Sequence, residues 1–360
     1  MDSHSRVEAA VKAFAKGEIV VVTDDDDREN EGDLFVAASL CTPEKMAFII
    51  RHTSGIVCAP LGAELARKLH LDPMVAKNDA PLGTAFTVTV DVRHGLTTGI
   101  SAEERTNTVR ALANDNSGAS DFVRPGHVFP LVAREGGVLM RSGHTEACID
   151  LCRLAGLPPV GVLSELMKDD GTVMRGPDVA TFADQHKLTQ VSIAELIAYR
   201  QRRDKLVERV AEFQLASDIG TLNGYAYVTP FDRVHHMAFV YGNIGDGKDV
   251  PARLHRADVI GDVFGGAKTI RAALARFKAA GRGVLVFLRD GTAGVPVAEI
   301  PHAGDTDAAR SQQWREIGLG AQILKDLGIS SIRLLASSKR TYVGLGGFGI
   351  EIVSTETLEN

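Results

Sequence analysis

Ile19-Val20-Val21-Val22 reads as a buried strand, and it runs straight into Asp24-Asp25-Asp26-Asp27-Arg28-Glu29-Asn30-Glu31-Gly32-Asp33, where seven of ten residues are acids. The junction constrains the fold. A strand that ends in a carboxylate cluster puts acceptor oxygens at the mouth of a fold, and those oxygens repel one another unless a cation neutralises them. Mg²⁺ and Mn²⁺ prefer oxygen ligands of this kind. Arg28, inside the run, has a forked donor suited to phosphate or carboxylate. A solvated acidic turn would have the same composition, but the apolar strand, the embedded arginine and the Gly32 turn favour a site.

The chain of 360 residues is longer than one core usually supports, so two domains are expected. With 44% hydrophobic and 24% charged residues it has an ordinary globular composition. A net charge of −6 argues against a nucleic-acid binder working through a basic face. No apolar run approaches the roughly 20 residues of a membrane span. Met1-Asp2-Ser3-His4-Ser5 is not followed by the apolar segment of a signal peptide. Cys41, Cys58, Cys148 and Cys152 form no CxxC pair. A cytoplasmic, reducing setting without membrane attachment fits.

Helical and strand patterns alternate. Val7–Lys16 has helical periodicity with Gly17 as its stop, and Thr42-Pro43 opens a helix to about Arg51. Phe86, Val88, Val90 and Val92 alternate with Thr87, Thr89 and Asp91, as in a half-buried strand. Ser101-Ala102-Glu103-Glu104 and Ser192-Ile193-Ala194-Glu195 are capping boxes. The second box opens a helix that turns polar at Arg200–Lys205. That stretch places the boundary between domains at 1–206 and 207–360. Beyond it come strands at Val210–Leu215, Tyr225–Thr229, His236–Tyr241, Ala252–Leu254, Gly283–Leu288, Ile332–Ala336 and Phe348–Val353, with helices at Lys268–Lys278 and Ala308–Leu327. Mixed α/β is the class of both halves.

Three further segments carry chemistry. Arg124-Pro125-Gly126-His127-Val128-Phe129-Pro130 reads as a loop fixed around one histidine, which suits proton transfer and equally suits a structural histidine. Arg141-Ser142-Gly143-His144-Thr145-Glu146 opens a helix whose free N–H groups, hydroxyl and arginine make a phosphate cradle. His144 there could ligate a metal, while plain N-capping by Thr145 would account for the same residues. Glu165 is a single acid in the apolar run Gly161–Leu166, where burial should raise its pKa unless an arginine pairs it. Together these segments suggest metal-assisted proton abstraction from a phosphorylated small molecule.

The same segments, with Arg51-His52-Thr53-Ser54-Gly55-Ile56-Val57-Cys58 and Thr97-Thr98-Gly99-Ile100-Ser101-Ala102, resemble 3,4-dihydroxy-2-butanone-4-phosphate synthase of riboflavin biosynthesis over about residues 5–204. The departures are Asp26, where the family often has Glu, and Ser142, where it often has a smaller residue. The resemblance implies a three-layer domain with a mixed sheet. It implies a lyase that converts ribulose 5-phosphate to 3,4-dihydroxy-2-butanone 4-phosphate and formate, by enolisation and rearrangement. Glu29 and His144 are then the ligands of two divalent ions, Mg²⁺ or Mn²⁺. Arg28, Glu29, Asp33, Arg141, Ser142, Gly143, His144, Thr145 and Glu165 bind substrate, with Arg141 and Thr145 toward phosphate. His127 and Glu165 are the acid/base pair, and Cys58, Thr98 and Glu31 are accessory. A homodimer with shared sites is implied.

The second half resembles, in part, a GTP cyclohydrolase II domain, a smaller αβ unit. Arg253-Leu254-His255 and Gly261-Asp262-Val263-Phe264-Gly265 match the region around that family's zinc, and Gly344–Val353 matches its C-terminal pattern. The three zinc cysteines are replaced by Asp258, Thr269 and Arg271, and no cysteine follows Cys152. The arginine segment Leu288–Gly294 also looks altered. No zinc and no cyclohydrolase activity are therefore expected, and a structural role or docking of a riboflavin-pathway partner is left. The alternatives are a bifunctional enzyme that also opens GTP and a non-catalytic scaffold. Gly344-Leu345-Gly346-Gly347-Phe348-Gly349 satisfies G-x-G-x-x-G, but only 11 residues follow it, too few for a dinucleotide-binding unit.

Overall fold

Capping side chains fix where helices begin. Asp2 accepts from Ser5 N–H at the start of α1 (Ser3–Ala15), and Thr42 accepts from Lys45 N–H at the start of α2 (Pro43–His52), with Pro43 in the first turn. Ser192 and Glu195 exchange backbone and side-chain bonds at the head of α7 (Ile193–Arg203), a complete capping box. At α4 (Ala102–Leu112) the box is half made. Ser101 accepts from Glu104 N–H, but the Glu104 carboxylate reaches back to Thr97 instead.

The computed structural model describes residues 2–24, 29–229, 232–258, 260–289, 318–336 and 349–358. It divides between Tyr199 and Arg200 into two compact units. Among the described residues, no helix is long and apolar enough to cross a membrane. Arg28, most of the Leu288–Gly294 and Gly344–Gly349 segments, and the first half of the helix expected at Ala308–Leu327 lie outside the described residues.

In the first unit, strands β1 (Val20–Thr23), β2 (Gly32–Ala37), β3 (Cys58–Leu61), β4 (Val90–Val92), β5 (Phe122–Val132), β6 (Gly161–Glu165) and β7 (Thr189–Ser192) form one mixed sheet, in the order β4-β5-β3-β6-β2-β1-β7. Short α3 (Ala63–Lys68) follows β3, and α5 (His144–Leu154) and α6 (Pro177–His186) flank β6 in sequence. Val21, Leu34 and Val36 pack with Met46 and Ile49 of α2, Val109 and Leu112 of α4, and Phe182 of α6. Val20, Val22 and Phe35 alternate to the other face and are as deeply buried, beside α1 and α5. Helices cover both faces, so the unit has three layers, as expected.

The second unit holds strands β8 (Glu208–Ser217), β9 (Gly220–Thr229), β10 (Asp232–Gly242), β11 (Val250–Arg256), β12 (Arg282–Leu288), β13 (Ser331–Ala336) and β14 (Glu351–Thr357), with α8 (Lys268–Ala280). Its sheet runs antiparallel from β8 through β9 and β10 to β12, then parallel through β11 and β13 to β14. Ala273 and Phe277 of α8 pack with Leu285 and Leu335. The last strand lies several residues beyond the Phe348–Val353 expected from the apolar pattern.

Two expectations in the first unit are corrected. Within the alternating segment only Val90–Val92 forms a strand, with Phe86 adding an isolated bridge to Leu131 of β5, and its polar residues Thr87 and Asp91 are buried, 1% and 3% exposed. They face β5, where Thr87 N–H donates to Pro130 O and Thr89 Oγ1 accepts from Gly126 N–H. Arg124–Pro130 is not a separate loop but part of β5. Val90 pairs with Val128 while Asp91 pairs with Val123, so residues 124–127 bulge out of the ladder. Pro125 is tolerated because the bulge requires no N–H there. Gly126 is required because a Cβ would lie 2.0 Å from the Val90 carbonyl carbon. Gly126→Ala is expected to lower stability by about 1–3 kcal/mol in urea unfolding followed by circular dichroism. Gly62→Ala, whose Cβ would meet nothing within 4 Å, should change it by less than about 0.5 kcal/mol.

Candidate active site at one edge of the first sheet

Strand direction gathers the chemistry. β1 ends at Thr23 and β2 begins at Gly32, antiparallel, so the acidic segment joins two neighbouring strands at one sheet edge. β6, antiparallel to β2, ends at that edge with Glu165 directly opposite Asp33. β3 starts there with Cys58, and Ser54 N–H, just before it, donates to Glu165 O. The β5 bulge with His127 lies at the same edge, two residues before the Phe129–Cys58 pair.

Asp24, Glu29 and His144 each bring a ligand atom within 4.8 Å of the other two. Asp24 organises the turn as well, because its two oxygens accept from Glu29 N–H and Glu31 N–H, at 3.1 and 2.9 Å. His144 sits in the first turn of α5, where Gly143 is the N-cap and supplies no side-chain bond. The N-capping role considered for Thr145 is therefore not made, and Thr145 is buried within the first turn. His144 Nδ1 lies 3.7 Å from Glu29 Oε2, and its Nε2 lies 3.9 Å from Asp33 Oδ1.

Asp33 is 2% exposed, and its Oδ1 is buried with no hydrogen-bond partner among the described residues. Burial pushes its pKa up to about 7, while His144 pulls it down and Glu165, Glu29 and Glu31 add to the rise. Glu31 is also shifted up, by burial against the opposing pull of Arg175. Two carboxylates and an imidazole around a buried, under-coordinated carboxylate form a donor set that fits a hard divalent cation.

Glu165 accepts from Ser54 Oγ at 2.8 Å, and its hydrogen-bond partner is this hydroxyl rather than an arginine. Cys58 is 2% exposed, and burial, with Glu165 and Asp33 adding to it, drives its thiol pKa up. That shift favours the protonated thiol. Arg141 is held ready at the helix start. Its Nη1 donates to Glu146 Oε2 at 2.6 Å and its Nη2 to Leu82 O and Thr84 Oγ1. Gly143 leaves room for that guanidinium, 2.2 Å from where a Cβ would stand, and Ser142 is half-buried beside it.

His127 Nδ1 lies 2.7 Å from Asp91 Oδ2, and His127 N–H donates to Asp91 Oδ1. The Thr97–Ile100 segment closes over this pair. A Cβ on Gly99 would lie 2.1 Å from Asp91 Oδ2 and 2.7 Å from His127 Nδ1. Glu104 pins the segment through Thr97 N–H, Thr97 Oγ1 and, at 3.4 Å, Thr98 Oγ1, and these bonds draw its own pKa down to about 2. Ser54, Asp91 and Glu146 were not singled out from sequence. Asp91 and Glu146 are buried by tertiary packing, while Ser54 is exposed and reaches Glu165 only through the fold, and periodicity read Asp91 as solvent-facing.

Residues 8–199 match the family model of 3,4-dihydroxy-2-butanone 4-phosphate synthase. The chain belongs to this family. It carries a 3,4-dihydroxy-2-butanone 4-phosphate synthase domain, and residues 208–357 match the GTP cyclohydrolase II model. It is 46% identical over 370 residues to the bifunctional riboflavin biosynthesis protein RIBA 1 of Arabidopsis thaliana, covering 97% of this chain and 68% of that protein. The crystal structure of RibBX of A. baumannii, described as a two-domain 3,4-dihydroxy-2-butanone 4-phosphate synthase, superposes with a TM-score of 0.82 at 36% identity, covering 98% of this chain and 99% of that one. A synthase structure in complex with two magnesium ions matches 55% of this chain and 97% of its own, at 45% identity and a TM-score of 0.54.

The raised Asp33 pKa has a pH signature in metal-free protein. The folded value is about 7 against an unfolded one near 3.9. Keeping Asp33 buried therefore has no pH cost below about pH 4, and stability falls from there to about pH 7, by at most about 1.4 kcal/mol per pH unit. In EDTA, the thermal midpoint of the native chain should fall relative to Asp33→Asn between pH 5 and 7. Parallel midpoints would show that Asp33 does not titrate in this range.

Proposed function

We propose that the first domain converts ribulose 5-phosphate to 3,4-dihydroxy-2-butanone 4-phosphate and formate, with Glu29 and His144 holding divalent metal and His127 and Glu165 moving protons. The observation that carries this reading is the convergence of Asp24, Glu29 and His144 beside the Asp33–Glu165 pair. Divalent ions bound by these groups would supply Lewis-acid stabilisation of negative charge on substrate oxygens. The chain's own residues do the rest. Arg141, braced by Glu146, and the N–H groups of the first turn of α5 face a phosphate. Glu165, oriented by Ser54, accepts or returns a proton at a carbon of the bound sugar, and His127 exchanges a proton with a substrate oxygen. Arg28, Ser142, Gly143, Thr145, Glu31, Thr98 and Cys58 complete the site in substrate-binding and accessory roles, and the homodimer implied by the resemblance remains part of the proposal.

The second domain is proposed to lack cyclohydrolase activity. Asp258, Thr269 and Arg271 offer no thiolate, and a zinc site of that type needs soft sulfur ligands. The carboxylates of this turn serve locally, since Asp262 binds His255 Nε2 at 2.9 Å and accepts from Asp258 N–H. A two-domain neighbour named for the synthase alone is consistent with this reading, while the bifunctional name of the Arabidopsis relative keeps the alternative testable.

With ribulose 5-phosphate and Mg²⁺ the full chain should release formate, and GTP should remain intact; formate from GTP would overturn the second half of the reading. Glu165→Gln should reduce formate release by at least about 10²-fold with Mn²⁺ binding retained, and near-normal turnover would remove its acid/base role. His144→Ala should weaken Mn²⁺ binding by about 10-fold or more, read by electron paramagnetic resonance titration. An unchanged titration would take it off the ligand list.

A further inference from the structure

His127 is 41% exposed at its side chain, on a bulge that the strand ladder does not hold. An exposed imidazole on irregular backbone has two tautomers and several ring orientations unless something fixes it. We propose that Asp91 is the positioning residue of this enzyme: it locks His127 as the Nδ1–H tautomer and so presents Nε2 as the proton-exchanging atom. This inference rests on the acid/base reading of His127 given above.

Both carboxylate oxygens are committed to one residue. Oδ1 accepts from the His127 backbone N–H at 2.9 Å and Oδ2 lies 2.7 Å from Nδ1. A carboxylate only accepts, so the proton of that bond sits on Nδ1. The two bonds fix the ring and the bulge together, as far as a β-strand residue buried to 3% exposure can. Gly99 seals the pair, since any larger residue would displace the Asp91–His127 contact.

A buried carboxylate needs a positive neighbour. Arg105 of α4 is 5% exposed, and its Nη1 donates to Gly55 O at 2.9 Å. Burial lowers its pKa, and Asp91 is the charged group that opposes that shift. Gly55 follows Ser54, the residue whose hydroxyl orients Glu165. Arg105 therefore touches the segment that holds one proposed acid/base group.

Asp91→Asn separates positioning from folding. The amide oxygen can keep the backbone bond to His127, which preserves the bulge. Its NH₂ then faces Nδ1 as a donor and moves the imidazole proton to Nε2. Compared in the full chain with Mg²⁺, Asp91→Asn should lower kcat by about 10²-fold or more, with KM within about threefold. The ¹⁵N spectrum of His127, assigned by its loss in His127→Gln, should change from the Nδ1–H to the Nε2–H tautomer. Asp91→Asn/His127→Gln should be no slower than His127→Gln alone. A kcat within about threefold of the native value, an unchanged tautomer, or multiplicative losses in the double variant would each overturn the proposal. Full activity in His127→Gln would instead bring down the acid/base reading on which it rests, so the two failures are told apart.

Discussion

Asp33 and Glu165 stand directly opposite one another across an antiparallel pair, an arrangement that like charges disfavour. The register of β2 on β6 holds the pair in place, because a one-residue slip would exchange the side chains packed on the two helix-covered faces of β2. The surroundings bear on both groups. Burial, with Glu165 adding to it, shifts Asp33 toward its neutral form, Glu165 takes a hydroxyl donor, and His144 stands at the positive end of a helix dipole. The sheet thus creates a demand for positive charge at one edge before any substrate is present. A divalent cation of the kind proposed would meet that demand.

Much of this was legible in the chain. The acids after Ile19–Val22, the helix start at Gly143-His144 and the lone Glu165 carry their chemistry in consecutive residues, and local patterns report them. Helix starts at Thr42, Ser101 and Ser192 were readable for the same reason, since these residues cap through bonds spanning only three residues, while the Asp2 cap that starts α1 at Ser3, ahead of the expected Val7, was missed. What was not legible depends on separation. Asp91 reaches His127 across 36 residues and Ser54 reaches Glu165 across 111. The alternation of Phe86–Val92 was real, but it marked a polar face turned inward to satisfy the β5 bulge, and no periodicity distinguishes that from a face turned to water.

The second domain makes a different point about which residues a fold depends on. The three positions that would carry zinc thiolates lie at or near the surface, with Asp258 and Arg271 exposed, while the core of Ala273, Phe277 and Leu285 does not involve them. Their replacement leaves the sheet undisturbed. On the reading proposed above, the second domain keeps the family's architecture without thiolate ligands, because those positions stand outside its core.

Gln322 settles a matter of architecture. Its amide Nε2 donates to Gln201 O and Asp204 O, and its Oε1 accepts from Leu206 N–H, at 3.3, 2.6 and 2.6 Å. One side chain thereby captures the segment that leaves α7 and makes it part of the second unit. The last turn of α7 therefore belongs to the second compact unit, which begins at Arg200. A fragment that begins at residue 207 would leave the Gln322 amide without its three backbone partners, whereas one that begins at Arg200 keeps them together.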